Sequence, residues 1–180
     1  MVKRKRKTIV VALYAGPGTG KSTLMAAVFA ELKFRGVNAE MAPEFAKEKV
    51  WEGSTRLLRN QIYVFGKQYN TIYRVDGQVD VVVTDSPVLL SLIYGKHESR
   101  AFRDLILDVN SRTRNMNFFL IRRKKYNPIG RMQNEAEAKV IDGRIKRMLR
   151  ANKIPFEEIE ASRVSVQIIV DKVMEAHREG

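Results

Sequence analysis

A glycine-rich turn between an apolar segment and a helical segment constrains this chain more than any other feature. The turn reads AGPGTGKS over residues 15–22, and it follows the apolar, β-branched run TIVVALYA over residues 8–15. That run has the length and composition of a buried strand. Helical signal then continues from Lys21 to about Arg35, where Gly36 is suited to end the helix. A strand that enters a helix through such a turn is typical of α/β proteins.

The turn also matches the Walker A pattern, in the form in which alanine replaces the first glycine. Small residues allow backbone N–H groups to turn inward around phosphate oxygens at the positive end of the next helix. In this pattern the lysine, here Lys21, reaches the β- and γ-phosphates, and the following hydroxyl, here Ser22, ligates Mg²⁺. The sequence therefore predicts an ATP- and Mg²⁺-binding site. The predicted nucleotide-binding residues are Gly16, Pro17, Gly18, Thr19, Gly20, Lys21, Ser22 and Thr23.

The rest of the chain continues to alternate between strand and helix signals. The patterns predict strands over 8–15, 38–42, 79–84, 117–121 and 154–159, and helices over 21–35, 54–75, 98–114, 133–151 and 164–177. A further helix is predicted to begin at Pro43, with Glu44 in its first turn. Such alternation predicts a parallel sheet with helices on both faces. Without an internal repeat or linker, we expect a basic extension over 1–7 and one domain over 8–180.

A second anchor for the metal is predicted at the end of the strand over 79–84. The hydrophobic run VVVT leads directly into Asp85, whose carboxylate is placed to hold Mg²⁺ through water. The alternative is that Asp85 caps the turn before Pro87. Ser86, rather than a glutamate that would polarise water, follows Asp85. Its presence there favours transfer of a phosphoryl group to a bound acceptor over hydrolysis.

Candidate residues for the acceptor side follow the second strand and lie on the next long helix. Glu44 is within reach of an acceptor hydroxyl, as a general base must be. Its alternative role is to stabilise a helix N-terminus. Gln68 and Tyr69 are candidates for contacts with an acceptor base or sugar, and Trp51 for stacking. For these three the alternative is a packed or solvated helix face.

The charge balance indicates a phosphate-bearing partner. Lys and Arg number 33 against 20 Asp and Glu, giving a net charge of +13, and the excess persists when residues 3–7 are set aside. The stretch over 122–150 is rich in Lys and Arg, and we predict a basic lid over about 122–135 that places cations over the γ-phosphate. One or two arginines would be sufficient for that purpose. The other cations form either a solvated helix face or a track for a polyanionic acceptor.

Several protein classes are excluded or disfavoured by composition. There are no cysteines, so the chain is not a disulfide scaffold. No run approaches the roughly 18 apolar residues of a membrane span, and no secretory leader is recognisable at the N-terminus. We therefore expect a soluble cytoplasmic protein.

Taken together, these segments resemble the small P-loop kinases, most closely the nicotinamide-riboside-kinase-like group with its many phage-encoded "AAA-like" members. The resemblance rests on GPGTGKST at 16–23, PEFA at 43–46, GKQ at 66–68, DSP at 85–87 and YNPIGR at 126–131. It implies a five-stranded sheet of order 2-3-1-4-5, with the acceptor over the carboxyl ends of the strands. Glu44 then matches the acid that contacts or deprotonates the acceptor hydroxyl, and Arg131 matches the mobile lid. The predicted catalytic residues are Lys21, Glu44, Asp85 and Arg131.

The leading functional hypothesis is an ATP-dependent kinase that phosphorylates a hydroxyl of a nucleoside-type acceptor. The surplus of positive charge favours an acceptor within or at the end of a nucleic acid, such as a hydroxymethylated pyrimidine of phage DNA or a polynucleotide 5′ end. The first alternative is a kinase of a free nucleoside or nucleotide. The second is a nucleic-acid-binding ATPase or switch without kinase activity. The sequence leaves the acceptor, the choice between ATP and GTP and the oligomeric state open.

Overall fold

Strands and helices alternate along the chain in the computed structural model, which describes residues 7–95, 99–123, 127 and 133–179. The strands are β1 (Ile9–Tyr14), β2 (Ala39–Ala42), β3 (Val81–Thr84), β4 (Arg114–Ile121) and β5 (Glu157–Glu160). The helices are α1 (Lys21–Phe34), α2 (Phe45–Trp51), α3 (Gln61–Tyr73), α4 (Ser91–Tyr94), α5 (Arg100–Ser111), α6 (Glu135–Ala151) and α7 (Arg163–Glu179). Short 3-10 helices at Thr55–Arg59 and Val88–Leu90 precede α3 and α4.

The five strands form one parallel sheet of order β2-β3-β1-β4-β5, which confirms the predicted order. Thr84 near the end of β3 is in register with Ala12 of β1 and with Ala42 of β2. The segments that follow these three strands therefore leave the sheet side by side at its carboxyl edge. That edge brings together the glycine-rich turn, Glu44 and Asp85.

Helices cover both faces of the sheet, as the alternation of the sequence predicts. Side chains alternate along β1, so that Ile9, Val11 and Leu13 face one layer while Val10, Ala12 and Tyr14 face the other. The first layer is formed by α1 and α7, and the second by α3, α4, α5 and α6. All six of these β1 side chains are buried, so β1 is the centre of the core.

The prediction of one helix over 54–75, capped by Ser54, is wrong. The chain forms a 3-10 helix over Thr55–Arg59, and α3 begins only after it. Asn60 ends the first segment because its side-chain oxygen accepts a hydrogen bond from the backbone N–H of Tyr63 at 3.1 Å. Asparagine is a strong N-cap, and it starts a new helix there. Ser54 makes no side-chain capping bond within this described segment.

Other boundaries also differ from expectation. Helix α2 begins at Phe45, and Glu44 occupies the extended position before it, with φ −68° and ψ 113°. Helix α4 was not predicted, because its four residues lie in a short apolar run after Pro87 that has no helical periodicity. Residues 1–6 of the basic extension and most of the predicted lid lie outside the described residues. No helix of the described chain is long and apolar enough to cross a membrane.

Candidate active site

The glycine-rich turn lies between the end of β1 and the start of α1, where the sequence places it. Gly18 and Gly20 have φ values of 79° and 106°, a left-handed backbone that only glycine adopts without strain. The hydroxyl of Thr19 donates to the carbonyl of Gly16 across the turn at 3.0 Å. The turn thus has a defined backbone shape that does not depend on the lysine side chain.

Lys21 lies over the turn that precedes it. Its Nζ donates to the carbonyl oxygens of Ala15 at 2.8 Å and Gly16 at 3.1 Å. Burial lowers the pKa of the Lys21 ammonium, while the carboxylates of Glu44, Asp85 and Asp142 oppose that shift. The ammonium is therefore a charge held close to three acidic groups at the edge of the sheet.

Ser22 and Asp85 meet at the position that the sequence predicts for the metal. The Ser22 hydroxyl donates to Asp85 Oδ2 at 2.5 Å, although the two residues are 63 positions apart. The Asp85 side chain is buried, and among the described residues no donor reaches its second oxygen, Oδ1. A hydroxyl and a carboxylate are hard oxygen ligands that suit Mg²⁺. The residues present therefore fit the predicted ion.

Protein groups alone would not complete a metal coordination shell here. The described part of the chain has no cluster of three or more His, Cys, Asp or Glu side chains arranged to hold a metal. Mg²⁺ commonly takes one or two protein ligands and completes its octahedron with water and substrate phosphate oxygens. The Ser22–Asp85 pair is consistent with that mode of binding.

Glu44 opens on the same cavity as Lys21, Ser22 and Asp85. This cavity has a volume of about 450 Å³ and extends from the glycine-rich turn to α3 and α4. Glu44 is half-buried, and its side chain makes no N-cap hydrogen bond to the described α2 backbone. Three of the four predicted catalytic residues therefore share one cavity, and Arg131 lies outside the described residues.

The acceptor-side candidates fall in different environments. Gln68 is buried at the cavity wall, and its amide is hydrogen-bonded to the chain around Glu44. Tyr69 instead stacks on Phe65 with ring centroids 6.1 Å apart. Trp51, at the end of α2, is 64% exposed, and the described lining of the cavity does not include it.

Sequence reasoning missed several residues of the cavity wall. Apolar side chains of α2, the first 3-10 helix and α3 form part of it, and polar groups lie among them. The missed polar lining residues include Lys47, Gln61, Ser91, Tyr94 and Gln133. The Tyr94 phenol is protonated at neutral pH and can both donate and accept a hydrogen bond. Tyr94 lies on the unpredicted helix α4, so only the structure could identify it.

An ion pair that the sequence did not predict, between Arg122 and Asp142, contacts the backbone of the glycine-rich turn. Asp142 of α6 accepts from the backbone N–H of Gly16 at 2.5 Å and from Arg122 Nε at 3.0 Å. Arg122, just after β4, also donates to the carbonyl of Pro17 at 2.9 Å. Both side chains are mostly buried, at 11% and 17% exposure. The only sequence signal was an isolated acid, Asp142, among the cations of α6.

Ion pairs reduce the number of cations over 122–150 that could serve as a track for a polyanionic acceptor, one of the two alternatives for this segment. Several of the basic side chains over 122–150 bind nearby acids. These pairs are Arg122–Asp142, Arg123–Glu160, Lys139–Glu135, Lys146–Glu158 and Arg150–Glu158. The net charge of the segment therefore overstates the number of cations that it offers to a partner.

Gly16→Ala tests the contact between the turn and α6. A Cβ at Gly16 would lie 2.5 Å from the carbonyl oxygen of Ala138 and 3.0 Å from Asp142 Oδ1, so the turn or α6 must move. We expect a loss of about 1–3 kcal/mol in the free energy of unfolding. ATP affinity should fall at least tenfold, measured by thermal unfolding with and without ATP.

The matched control is Gly66→Ala in α3, where a Cβ would have no described atom within 4 Å beyond its own helix. That variant should be neutral, or more stable by up to about 1 kcal/mol. Equal effects of the two substitutions on ATP affinity would contradict the role assigned to Gly16.

This sheet, strand order and glycine-rich turn define a P-loop nucleotide-binding fold. The chain belongs to the AAA domain family, whose pattern matches residues 10–167. A comparison with curated protein sequences finds no match.

Solved structures with the same fold include two kinds of protein. The NadR protein in complex with NR is 14% identical with a TM-score of 0.72, over 95% of this chain and 53% of that chain. This chain thus spans about half the length of the NadR chain. Deoxyadenosine kinase from M. mycoides with bound dATP is 14% identical with a TM-score of 0.53, over 93% of this chain and 98% of that one. The same kinase with products dCMP and dCDP is 15% identical with a TM-score of 0.54, over 92% and 99% of the two chains.

Proposed function

We propose that this protein is an ATP-dependent kinase that phosphorylates a hydroxyl of a nucleoside-type acceptor. The observation that supports the proposal is the single cavity shared by Lys21, Ser22 and Asp85 on one side and Glu44 on the other. The first three are the groups that a donor phosphate needs, and Glu44 is the carboxylate that an acceptor hydroxyl needs. The likeness in fold to NadR and to deoxyadenosine kinase is in keeping with this proposal.

In the proposed reaction, the turn holds the donor phosphates through its backbone N–H groups, and the Lys21 ammonium stabilises negative charge on them. Mg²⁺, held through Ser22 and Asp85, would supply charge neutralisation of the phosphate oxygens. The acceptor oxygen bonds to the γ-phosphorus, and the bond from that phosphorus to the β–γ bridging oxygen breaks. ADP leaves with the electron pair, and the hydroxyl proton passes to the Glu44 carboxylate.

The lining of the cavity supports an acceptor with a planar, partly polar group. Aliphatic side chains of Val50, Leu58 and Val64 lie beside the polar groups of Gln61 and Tyr94. Small-molecule sites commonly combine apolar walls with a few hydrogen-bonding groups that fix orientation. A nucleoside, with an aromatic base and a hydroxylated sugar, has matching chemistry.

A transfer assay with γ-labelled ATP and Mg²⁺ tests the proposal. The acceptors would be a nucleoside and nucleotide panel, single-stranded DNA, duplex DNA and DNA that contains hydroxymethylated pyrimidines. We expect label on a hydroxyl of one of these acceptors. Release of labelled inorganic phosphate without transfer to any of them would favour the alternative of an ATPase or switch.

An acceptor embedded in nucleic acid remains the preferred form of the proposal because of the surface beside the cavity. The segment over residues 55–73 contains Arg56, Arg59 and Lys67 but no Asp or Glu, and all three cations are exposed. Leu58 and Gln61 of the same segment line the cavity. Phosphates that flank an acceptor nucleotide would therefore meet positive charge on this segment.

Salt dependence distinguishes a polymer acceptor from a free nucleoside. Each phosphate neutralised contributes a slope of about −0.7 to −0.9 in a plot of log affinity against log salt. We expect Arg56→Gln with Arg59→Gln to make the slope for a DNA acceptor shallower by about 1.5. The control is Lys33→Gln with Arg178→Gln, two exposed cations on helices of the opposite layer. Label found only on a free nucleoside, with a salt-insensitive KM, would overturn the polymer preference in favour of a small-molecule kinase.

A further inference from the structure

We infer that Gln68 is a positioning residue for Glu44, an inference that rests on the proposed function. Gln68 lies on α3 and is only 4% exposed. Its Oε1 accepts from the backbone N–H of Phe45 at 3.0 Å, and its Nε2 donates to the carbonyl of Pro43 at 3.2 Å. Phe45 and Pro43 are the two residues on either side of Glu44. One side-chain amide therefore holds the chain on both sides of the proposed general base.

A side-chain amide supplies both groups that these contacts need, an acceptor oxygen and a donor NH₂. The N–H of Phe45 requires an acceptor, and the carbonyl of Pro43 requires a donor. A glutamate at this position would keep the acceptor but lose the donor, and an aliphatic side chain would lose both. The Gln68 amide thus hydrogen-bonds to two consecutive peptide groups, as the backbone of a neighbouring strand does in a β-sheet.

Gln68 and Phe45 are themselves held in place. The amide of Gln68 also donates to the hydroxyl of Thr71 at 3.3 Å, and that hydroxyl donates to the Gln68 carbonyl at 2.7 Å. The ring of Phe45 packs edge-on against Tyr63 of α3 with centroids 5.7 Å apart. Helix α3 therefore determines where the backbone of Glu44 lies relative to the cavity.

Placement matters because Glu44 precedes α2 in extended backbone, outside the hydrogen-bond ladder of the helix. A displacement of about 1 Å at a reacting group can cost on the order of 10²-fold in rate. Loss of the Gln68 contacts would leave the Glu44 carboxylate present, while the backbone on both sides of it would lose two hydrogen bonds. The effect should appear in kcat, because the donor phosphate site does not involve Gln68.

The experiment combines Gln68→Leu and Gln68→Glu with Glu44→Gln in a double-mutant cycle on the full chain. In the wild-type background we expect Gln68→Leu to lower kcat about 10²-fold, with ATP affinity changed less than twofold. The kcat of Gln68→Glu should lie between those of wild type and Gln68→Leu. This variant also tests the inference if the leucine variant does not fold. In the Glu44→Gln background neither substitution should slow the reaction further, because Gln68 acts through Glu44.

The control is Ile72→Val, a buried substitution one turn further along α3 that makes no polar contact with Glu44. It should lower the melting temperature without changing kcat. An equal kcat loss from Gln68→Leu with and without Glu44 would overturn the inference. A rise in acceptor KM at constant kcat would also overturn it, because it would make Gln68 an acceptor contact.

Hydrogen exchange tests the same inference without any activity. In Gln68→Leu, the backbone amide of Phe45 should exchange at least tenfold faster than in wild type, while amides of the glycine-rich turn keep their rates. Unchanged exchange at Phe45 would overturn the inference. If wild type transfers phosphate to none of the acceptors, the proposed function fails. Faster exchange at Phe45 in Gln68→Leu would still show that Gln68 stabilises the backbone around Glu44.

Discussion

Lys21→Ala is expected to abolish most phosphoryl transfer and to leave the fold intact. Removal of one preorganised charge-stabilising group from an active site costs about 10²–10³-fold in kcat. The turn should keep its shape, because the positive φ values of Gly18 and Gly20 and the Thr19–Gly16 hydrogen bond do not involve Lys21. The measurement is kcat with the acceptor identified in the transfer assay, together with the melting temperature.

The matched control for this prediction is Lys33→Ala. Lys33 is an exposed lysine on the same helix, in its last turn. Its removal should change neither turnover nor ATP affinity. Near-normal turnover of Lys21→Ala would end the kinase proposal, since no phosphoryl-transfer step in it proceeds efficiently without the ammonium.

Glu44→Gln is expected to lower turnover by about 10²–10⁴-fold, the usual loss when a general base is removed. ATP affinity should stay within twofold of wild type, because Ser22, Asp85 and the turn are unaltered. Glutamine keeps the size and hydrogen-bonding ability of the side chain but cannot take the acceptor proton at neutral pH. The measurement is single-turnover transfer at saturating ATP, alongside ATP binding.

Glu48→Gln provides the control for Glu44→Gln. Glu48 is exposed in the first turn of α2 and does not line the cavity in the described structure. The Glu48→Gln variant should be fully active. If Glu44→Gln were fully active as well, Glu44 would be assigned to stabilising the start of α2, and Asp85 would become the candidate base.

The predictions that succeeded concern features contained in a continuous stretch of chain. The run before Gly16, the turn and the helix that starts at Lys21 are adjacent in sequence, so their periodicity and glycine spacing predict the strand–turn–helix unit directly. The acid that ends β3 is visible for the same reason. The parallel order of the strands, expected from the resemblance to P-loop kinases, then brings Asp85 to Ser22.

The predictions that failed depended on a choice between two local signals. Both Ser54 and Asn60 are residues that cap helices, and the sequence does not show which of them begins α3. The folded chain uses Asn60, whose side-chain oxygen accepts from the Tyr63 N–H, whereas Ser54 makes no side-chain capping bond in the described segment. The charge count over residues 122–150 had a similar weakness, because it could not show that Lys146 and Arg150 both pair with Glu158 of β5.

The sequence by itself determined the class of fold, the phosphate-binding turn and two of the three acidic residues beside it, Glu44 and Asp85. These depend on short-range patterns: apolar runs of strand length, glycines where the backbone turns, and carboxylates at strand ends. Only the tertiary structure decided the partners of the polar side chains. Asp142 and Gly16 are 126 positions apart, and Gln68 and Phe45 are 23 apart, yet both pairs are joined by hydrogen bonds. Such bonds have no local signature, because a side-chain amide or carboxylate has the same propensities whichever distant backbone group it meets.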